Sequence, residues 1–188
     1  GPVERWFGLS HLIVHTSGTH NSTVTLPGLP GDLAAAMRDQ GHNRDFRDAQ
    51  AARAALRRAR PEGVRFGVPF PFSMHSELLH LWLGEGAGLR TVTVPPARMA
   101  EALLSGEIEA FCVGEPWGSV AVACGAGELI LPGTAIWSAA PEKVLAMRRG
   151  WAEAQPDLAG RLLRAVWRAC RWLAQPDSRA AASELLAR

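Results

Sequence analysis

The chain has 188 residues, 47% hydrophobic and 20% charged, with 20 basic against 18 acidic side chains and a net charge of +2. That is enough for one full domain or two small lobes around a real core, and too small a basic excess to attract nucleic acid by bulk electrostatics. No run of about 18 apolar residues occurs, so no transmembrane segment is expected, and there is no basic start followed by an apolar signal core.

In chain order, residues 9–14 (LSHLIV) read as a short buried strand, followed by the polar loop TSGTHNST and a second strand, TVTL at 23–26. The segment LPGLPG breaks the chain, and Asp32 is a suitable N-cap for the helix DLAAAMRD. Residues 49–60 are biased to Ala and Arg and read as a helix with a solvated basic face. From residue 64 strand-like and helix-like segments alternate. VRFGVPF (64–70) is a strand, and SMHSELLHLWLGE (73–85) a helix with Leu78, Leu81 and Trp82 at helical spacing. TVTV (91–94) is a strand, ARMAEALLSG (97–106) a helix ending at Gly106, and EAFCVG (109–114) a strand. Pro116 then opens a helix through WGSVAVACG, at a first-turn position that has no need of an N–H. KVLAM (143–147) is a further strand. Last comes the long helix 157–174, with an apolar stripe of Leu158, Leu162, Val166, Cys170 and Leu173 and a wet face of Arg164, Arg168 and Arg171.

Such alternation predicts an α/β fold with a mainly parallel sheet covered by helices. The three cysteines, Cys112, Cys124 and Cys170, include no CxxC pair and each has apolar neighbours, which predicts buried thiols rather than a disulfide framework or a zinc site.

In open α/β sheets ligands bind beyond the carboxyl ends of the strands, so the chemistry is sought in the loops there. The first, PFPFSMHS (69–76), sets Ser73 as a helix cap and His75 in the first turn, where backbone N–H groups and the positive helix end favour an anion. A lone His in this position also serves as a local packing or capping residue. The second, GEPWG (114–118), carries Glu115 and Trp117, either a ligand-contacting pair or a helix-start charge beside a core aromatic. The third holds Lys143, the single lysine beside nineteen arginines. A lysine is a compact point charge and an arginine a planar fork, so Lys143 is either an incidental exposed charge or a place where guanidinium would not serve.

Enzyme signatures are thin. There is no GxSxG elbow, Walker loop, GxGxxG after a strand, or HExxH, and no carboxylate pair stands out. His11 and His15 have i, i+4 spacing but flank the apolar LIV, so they read as strand or core residues and not as metal ligands. No catalytic residue, metal site or cofactor is assigned; the pattern suits binding better than turnover.

Three stretches, FGVPFPFSMHSELLHLWL, VTVPPARMAEALLSGEIEAFCVGEPWGSVAV and IWSAAPEKVLAMRRGWAEAQPDL, resemble in order and nearly in spacing the nitrate-binding proteins of the nitrate/bicarbonate ABC-transporter receptor family, which includes cytoplasmic nitrate sensors. The resemblance covers the chain from about residue 64 onward. It implies a type II periplasmic-binding-protein fold, two α/β lobes closing on a small anion in an interlobe cleft. Residues 28–140 would form the second lobe, and 1–27 with 141–188 the remaining parts of the first lobe and the crossover segments. Family members begin well before this chain does, which implies an incomplete first lobe.

By the same resemblance the ligand histidine is His75 and the ligand lysine Lys143, with Gly18, Ser22 and Thr23 the nearest matches to the polar-loop contacts; Glu115 and Trp117 complete the candidate set. Nitrate is a monoanion with acceptors only, which calls for donors and a positive charge. At about 4 Å and an effective dielectric near 20, one such charge contributes on the order of 4 kcal/mol before desolvation. The bicarbonate relatives resemble this family but place an acidic residue where Lys143 stands, which favours nitrate or nitrite. The expected partners are that small anion and either an ABC permease or a cytoplasmic antiterminator-type regulator, without direct nucleic-acid binding. The alternative is an enzyme on the same fold, such as a thiamine-pyrimidine synthase.

Overall fold

The computed structural model describes residues 11–15, 22–26, 33–42, 45–84, 88–138, 140 and 144–187, with the backbone alone at 11–15, 22, 26 and 186. Asp32, Gly18 and Lys143 lie outside the described residues. The chain divides into two compact units, Thr19–Ala140 and Gly1–Gly18 with Pro141–Arg188.

In Thr19–Ala140, the alternation read from the sequence becomes β3 (Arg65–Val68), α3 (Met74–Leu83), β4 (Arg90–Thr93), a 3-10 turn (Pro96–Arg98) leading into α4 (Met99–Leu104), β5 (Ala110–Gly114) and α5 (Trp117–Ala123). Ahead of them stand β2 (Ser22–Leu26), α1 (Leu33–Asp39) and α2 (Ala49–Ala59), and after them β6 (Glu128–Pro132) and α6 (Gly133–Ile136). The sheet order is β4-β3-β5-β2-β6. β3 runs parallel to both β4 and β5, the arrangement that helical crossovers between strands allow. β2 is antiparallel to β5 and β6, so the sheet is mixed, with one strand reversed among the five. β2 lies in the stretch 1–27, read from sequence with the remaining parts of the first lobe and the crossover segments, and its hydrogen bonds run to β5 and β6. β6 was not read from the sequence, although its LIL run between Gly127 and Pro132 was the available signal.

Period-2 alternation divides the core between the two faces of the sheet. Val24, Phe66, Val68, Ala110 and Cys112 face Leu33, Met37, Leu56, Leu79 and Trp82 of α1, α2 and α3. On the other face Phe111 and Val113 meet Met99, Leu103 and Ala121 of α4 and α5. Phe66, Leu79 and Phe111 have no exposed surface, and each such burial is worth about 1.5–3 kcal/mol before the entropy of ordering it. Gly67 faces the second cluster at close quarters: a Cβ there would come within 2.7 Å of Ile108 Cδ1 and 3.1 Å of Met99 Sδ. The Trp82 indole N–H donates to the Ala49 carbonyl at 2.7 Å, joining α3 to the start of α2.

α2 keeps the solvated basic face expected of it: Ala52, Ala55 and Leu56 are buried, Arg57 and Arg58 exposed. In α3 the buried set includes Leu78, Leu79, Trp82 and Leu83, while Leu81 is 57% exposed. Residues i, i+1, i+4 and i+5 form one stripe, and i+3 falls beyond its edge here. The expectation of three buried thiols is corrected, because only Cys112 is buried. Cys124 caps the C-terminus of α5, where a helix end meets solvent, and its Sγ donates to the Ala121 carbonyl at 3.4 Å.

In the other unit β1 (His11–His15) pairs antiparallel with β7 (Val144–Arg148), followed by α7 (Arg149–Ala154), α8 (Pro156–Leu173) and α9 (Ser178–Leu186). The arginine face of α8 is exposed as expected, with Arg171 stacked 4.9 Å over the Trp167 ring. Its apolar stripe is only partly covered: Leu158 is 43%, Leu162 39% and Leu173 51% exposed, Val166 is half-buried, Cys170 is exposed, and Ala159 is the buried residue of the helix among those described. Among the described residues, this unit sets beside the 18-residue α8 a two-stranded ribbon and two shorter helices. Among the described residues no helix is long and apolar enough to cross a membrane.

Candidate functional site

The parallel strands β3 and β5 are neighbours, so the loops leaving their carboxyl ends emerge side by side. β2 is antiparallel to β5 with Ser22 opposite Gly114 and Thr23 opposite Val113, which brings the start of β2 to that same end. This one edge of the sheet therefore gathers His75 on α3, Ser22 and Thr23 on β2, and Glu115 and Trp117 at the start of α5.

Beyond β3, Ser73 takes an extended backbone (φ −79°, ψ 157°) and its side chain accepts the Ser76 N–H at 3.4 Å, the cap expected from the sequence. The Ser73 carbonyl also accepts from the N–H groups of Ser76 and Glu77, at 3.0 and 3.3 Å. The cap fixes the first turn of a ten-residue helix and sets His75 inward, 8% exposed, at the positive end of the helix dipole. Ahead of the cap, Phe70 and Phe72 are 56% and 63% exposed and meet edge to face, with ring centroids 5.6 Å apart. The sequence reading missed this aromatic pair, although FPF was its signal.

Beyond β5 the chain turns through a cis Glu115–Pro116 peptide into α5. The Glu115 carboxylate is engaged on both oxygens. Thr23 Oγ1 donates to Oε1 at 2.8 Å; the Ser119 hydroxyl and backbone N–H donate to Oε2 at 2.7 and 3.1 Å. Gly118 lies against this cluster, and a Cβ there would run into Thr23 Oγ1, Glu115 Oε1 (2.7 Å) and Leu129 Cδ2 (2.9 Å). Trp117 is half-buried and packs against the cluster of Phe111, Val113 and Ala121. Ser119 and Gly118 were not picked out from the sequence; Ser119 stands four residues after Glu115, the spacing at which a side chain reaches a helix-start residue.

The structure thus joins Thr23 directly to Glu115 and places Ser22 in register beside them. Gly18 and Lys143 lie outside the described residues, so their geometry plays no part here. A cavity of about 320 Å³ in the same unit, lined by Arg47, Asp48, Gln50, Leu81, Trp82 and Ile136 among others, includes none of the candidate ligands. Among the described residues no group of three or more His, Cys, Asp or Glu is placed to hold a metal ion.

Comparison with known proteins bears on the fold and the family. The chain is 35% identical over 170 residues to the bicarbonate transport ATP-binding protein CmpC of Synechocystis, covering 88% of this chain and 25% of that protein. It is 32% identical over 129 residues to the nitrate/nitrite binding protein NrtA of the same organism, covering 66% of this chain and 29% of NrtA. The crystal structure of periplasmic nitrate-binding NrtA from Synechocystis superposes on the whole of this chain with a TM-score of 0.72 at 25% identity, using 47% of the NrtA chain. The alkanesulfonate-binding protein SsuA of Xanthomonas axonopodis shares the fold alone, with a TM-score of 0.59 at 16% identity over 93% of this chain and 54% of that one. The fold is accordingly the periplasmic-binding-protein-like α/β architecture that the three sequence stretches implied. This chain spans between a quarter and a third of the length of these two curated relatives and about half of the solved NrtA chain. A family model matches residues 29–187, nearly the whole described length, and the chain therefore belongs to the NMT1-like family.

Proposed function

We propose that this chain is part of a solute receptor that binds nitrate or nitrite at the carboxyl edge of the five-stranded sheet. The observation that carries the reading is the place of His75: buried, in the capped first turn of α3, where the dipole and the imidazole donor both favour an anion. Lys143 is the charged donor that the resemblance adds, and the similarity to NrtA supports the choice of anion. Nitrate has three acceptor oxygens and no donor, so imidazole and ammonium donors suit it; bicarbonate carries a proton and calls for an acceptor as well. At the start of α5 the Glu115 carboxylate is engaged by internal donors from Thr23 and Ser119.

The test is calorimetric titration with nitrate, nitrite and bicarbonate. Nitrate or nitrite should give saturable heat, His75→Ala should weaken it about tenfold or more, and Lys143→Glu should abolish it. Bicarbonate heat in place of nitrate heat overturns the choice of anion, a plausible rival since CmpC is named for bicarbonate transport. Turnover of the ligand would instead support the enzyme reading. The partner follows from address: nitrate-dependent capture of an ABC permease supports a receptor, and capture of an RNA-binding antiterminator supports a sensor.

A further inference from the structure

We infer that Glu115 acts on the anion site as a positioning residue, a latch that holds the start of β2 against the start of α5 without touching the anion. The inference rests on the proposed anion-binding reading. A Glu in a candidate anion site is at first sight misplaced, because a carboxylate facing nitrate would repel it. The geometry resolves this. Glu115 Oε1 takes the Thr23 hydroxyl at 2.8 Å, and Oε2 takes two donors from Ser119, at 2.7 and 3.1 Å. Three donors on one carboxylate spread its charge into bonds that run along the protein, and they join residues 92 and four positions apart in sequence.

The strand being held is the one reversed strand of the sheet, and it leads directly from the polar loop in which Gly18 and Ser22 are candidate ligands. Its neighbours on both sides are bonded by backbone ladders, but the ladder irregularity between Val24 and Thr25 leaves the pairing with β6 shifted partway along. The side-chain bond from Thr23 to Glu115 lies on the loop side of that irregularity, where it fixes the strand end against α5. Gly118 completes the device. Alanine in a helix ordinarily stabilises by close to 1 kcal/mol relative to glycine, yet here a Cβ would collide with both members of the Thr23–Glu115 pair. The latch can therefore be broken in two unrelated ways, by removing the acceptor or by wedging the pair apart.

The experiment measures nitrate affinity and urea stability together for Glu115→Gln, Thr23→Val, Gly118→Ala and the double variant Thr23→Val/Glu115→Gln. Each single change should weaken nitrate binding about tenfold, as expected for losing a hydrogen bond to a charged group, and Gly118→Ala should do so against its helix propensity. The double variant should be no weaker than the worse single one, since both remove the same bond, and Thr23→Ser should restore the affinity lost in Thr23→Val. Tighter nitrate binding by Glu115→Gln would overturn the inference by showing that the carboxylate faces the anion. Lower urea stability with unchanged affinity would also overturn it, leaving a purely structural bond. If the wild type takes up no nitrate, nitrite or bicarbonate, the functional reading fails. The latch itself is then judged by hydrogen exchange: it stands if Glu115→Gln and Gly118→Ala both speed exchange of the Ser119 amide and the β2 amides, and falls if they do not.

Discussion

In the five-stranded unit α3 spends ten residues and buries six of them, His75, Ser76, Leu78, Leu79, Trp82 and Leu83. In the other unit α8 spends eighteen, carries the more regular apolar stripe, and among the described residues buries Ala159. The two helices differ in what lies opposite them and not in their periodicity. α3 rests on a sheet whose face is already apolar, with Phe66, Val68 and Cys112 in the same cluster, so every turn finds a partner. α8 follows a two-stranded ribbon, and Leu158, Leu162 and Leu173 keep between 39% and 51% of their surface exposed. An amphipathic pattern states which face would be buried; burial itself needs a second surface, and about 1.5–3 kcal/mol per large side chain depends on it.

The sharpest way to break this contrast is a pair of truncations on the 188-residue chain. Leu79→Ala should cost about 2–5 kcal/mol in urea unfolding, because it opens a cavity under α3, whereas Leu162→Ala should fall within about 0.5 kcal/mol. Equal losses would mean that the α8 face is covered in solution. A smaller effect tests the close packing beneath the sheet: Gly67→Ala should cost about 1–3 kcal/mol, since Ile108 and Met99 must shift to admit a methyl. Smaller again is the cap. Ser73→Ala should lower stability by about 1 kcal/mol and, by loosening the turn that carries His75, weaken nitrate binding in the same titration. An unchanged affinity with the lowered stability would separate the cap from the site.

Much of the candidate site was legible before the fold. The PFPFSMHS loop announced its cap because Ser73 precedes a helical pattern, and the positions of His75, Glu115 and Trp117 after strands followed from the alternation of elements. What could not be read was the use of each side chain. Glu115 looked like a ligand or a helix-start charge, and its engagement by Thr23, 92 residues away, has no trace in local spacing. Trp117 was poised between ligand and core until its packing on Phe111 and Val113 was seen. The cysteines misled for a related reason: apolar neighbours in sequence do not determine whether a residue faces the core or a wet helix end, as Cys124 illustrates.

The sequence by itself determined the α/β alternation, the helix capped at Ser73 and the amphipathic faces of α3 and α8, because these depend on propensity, capping and periodicity acting over a few residues. Tertiary structure alone decided that β2 runs against its neighbours, that Glu115 bonds Thr23 and Ser119, and that α3 is covered while the leucines of the α8 stripe stay partly exposed. Those outcomes depend on which surfaces meet across long sequence separations, and burial and hydrogen bonding are set only where they do.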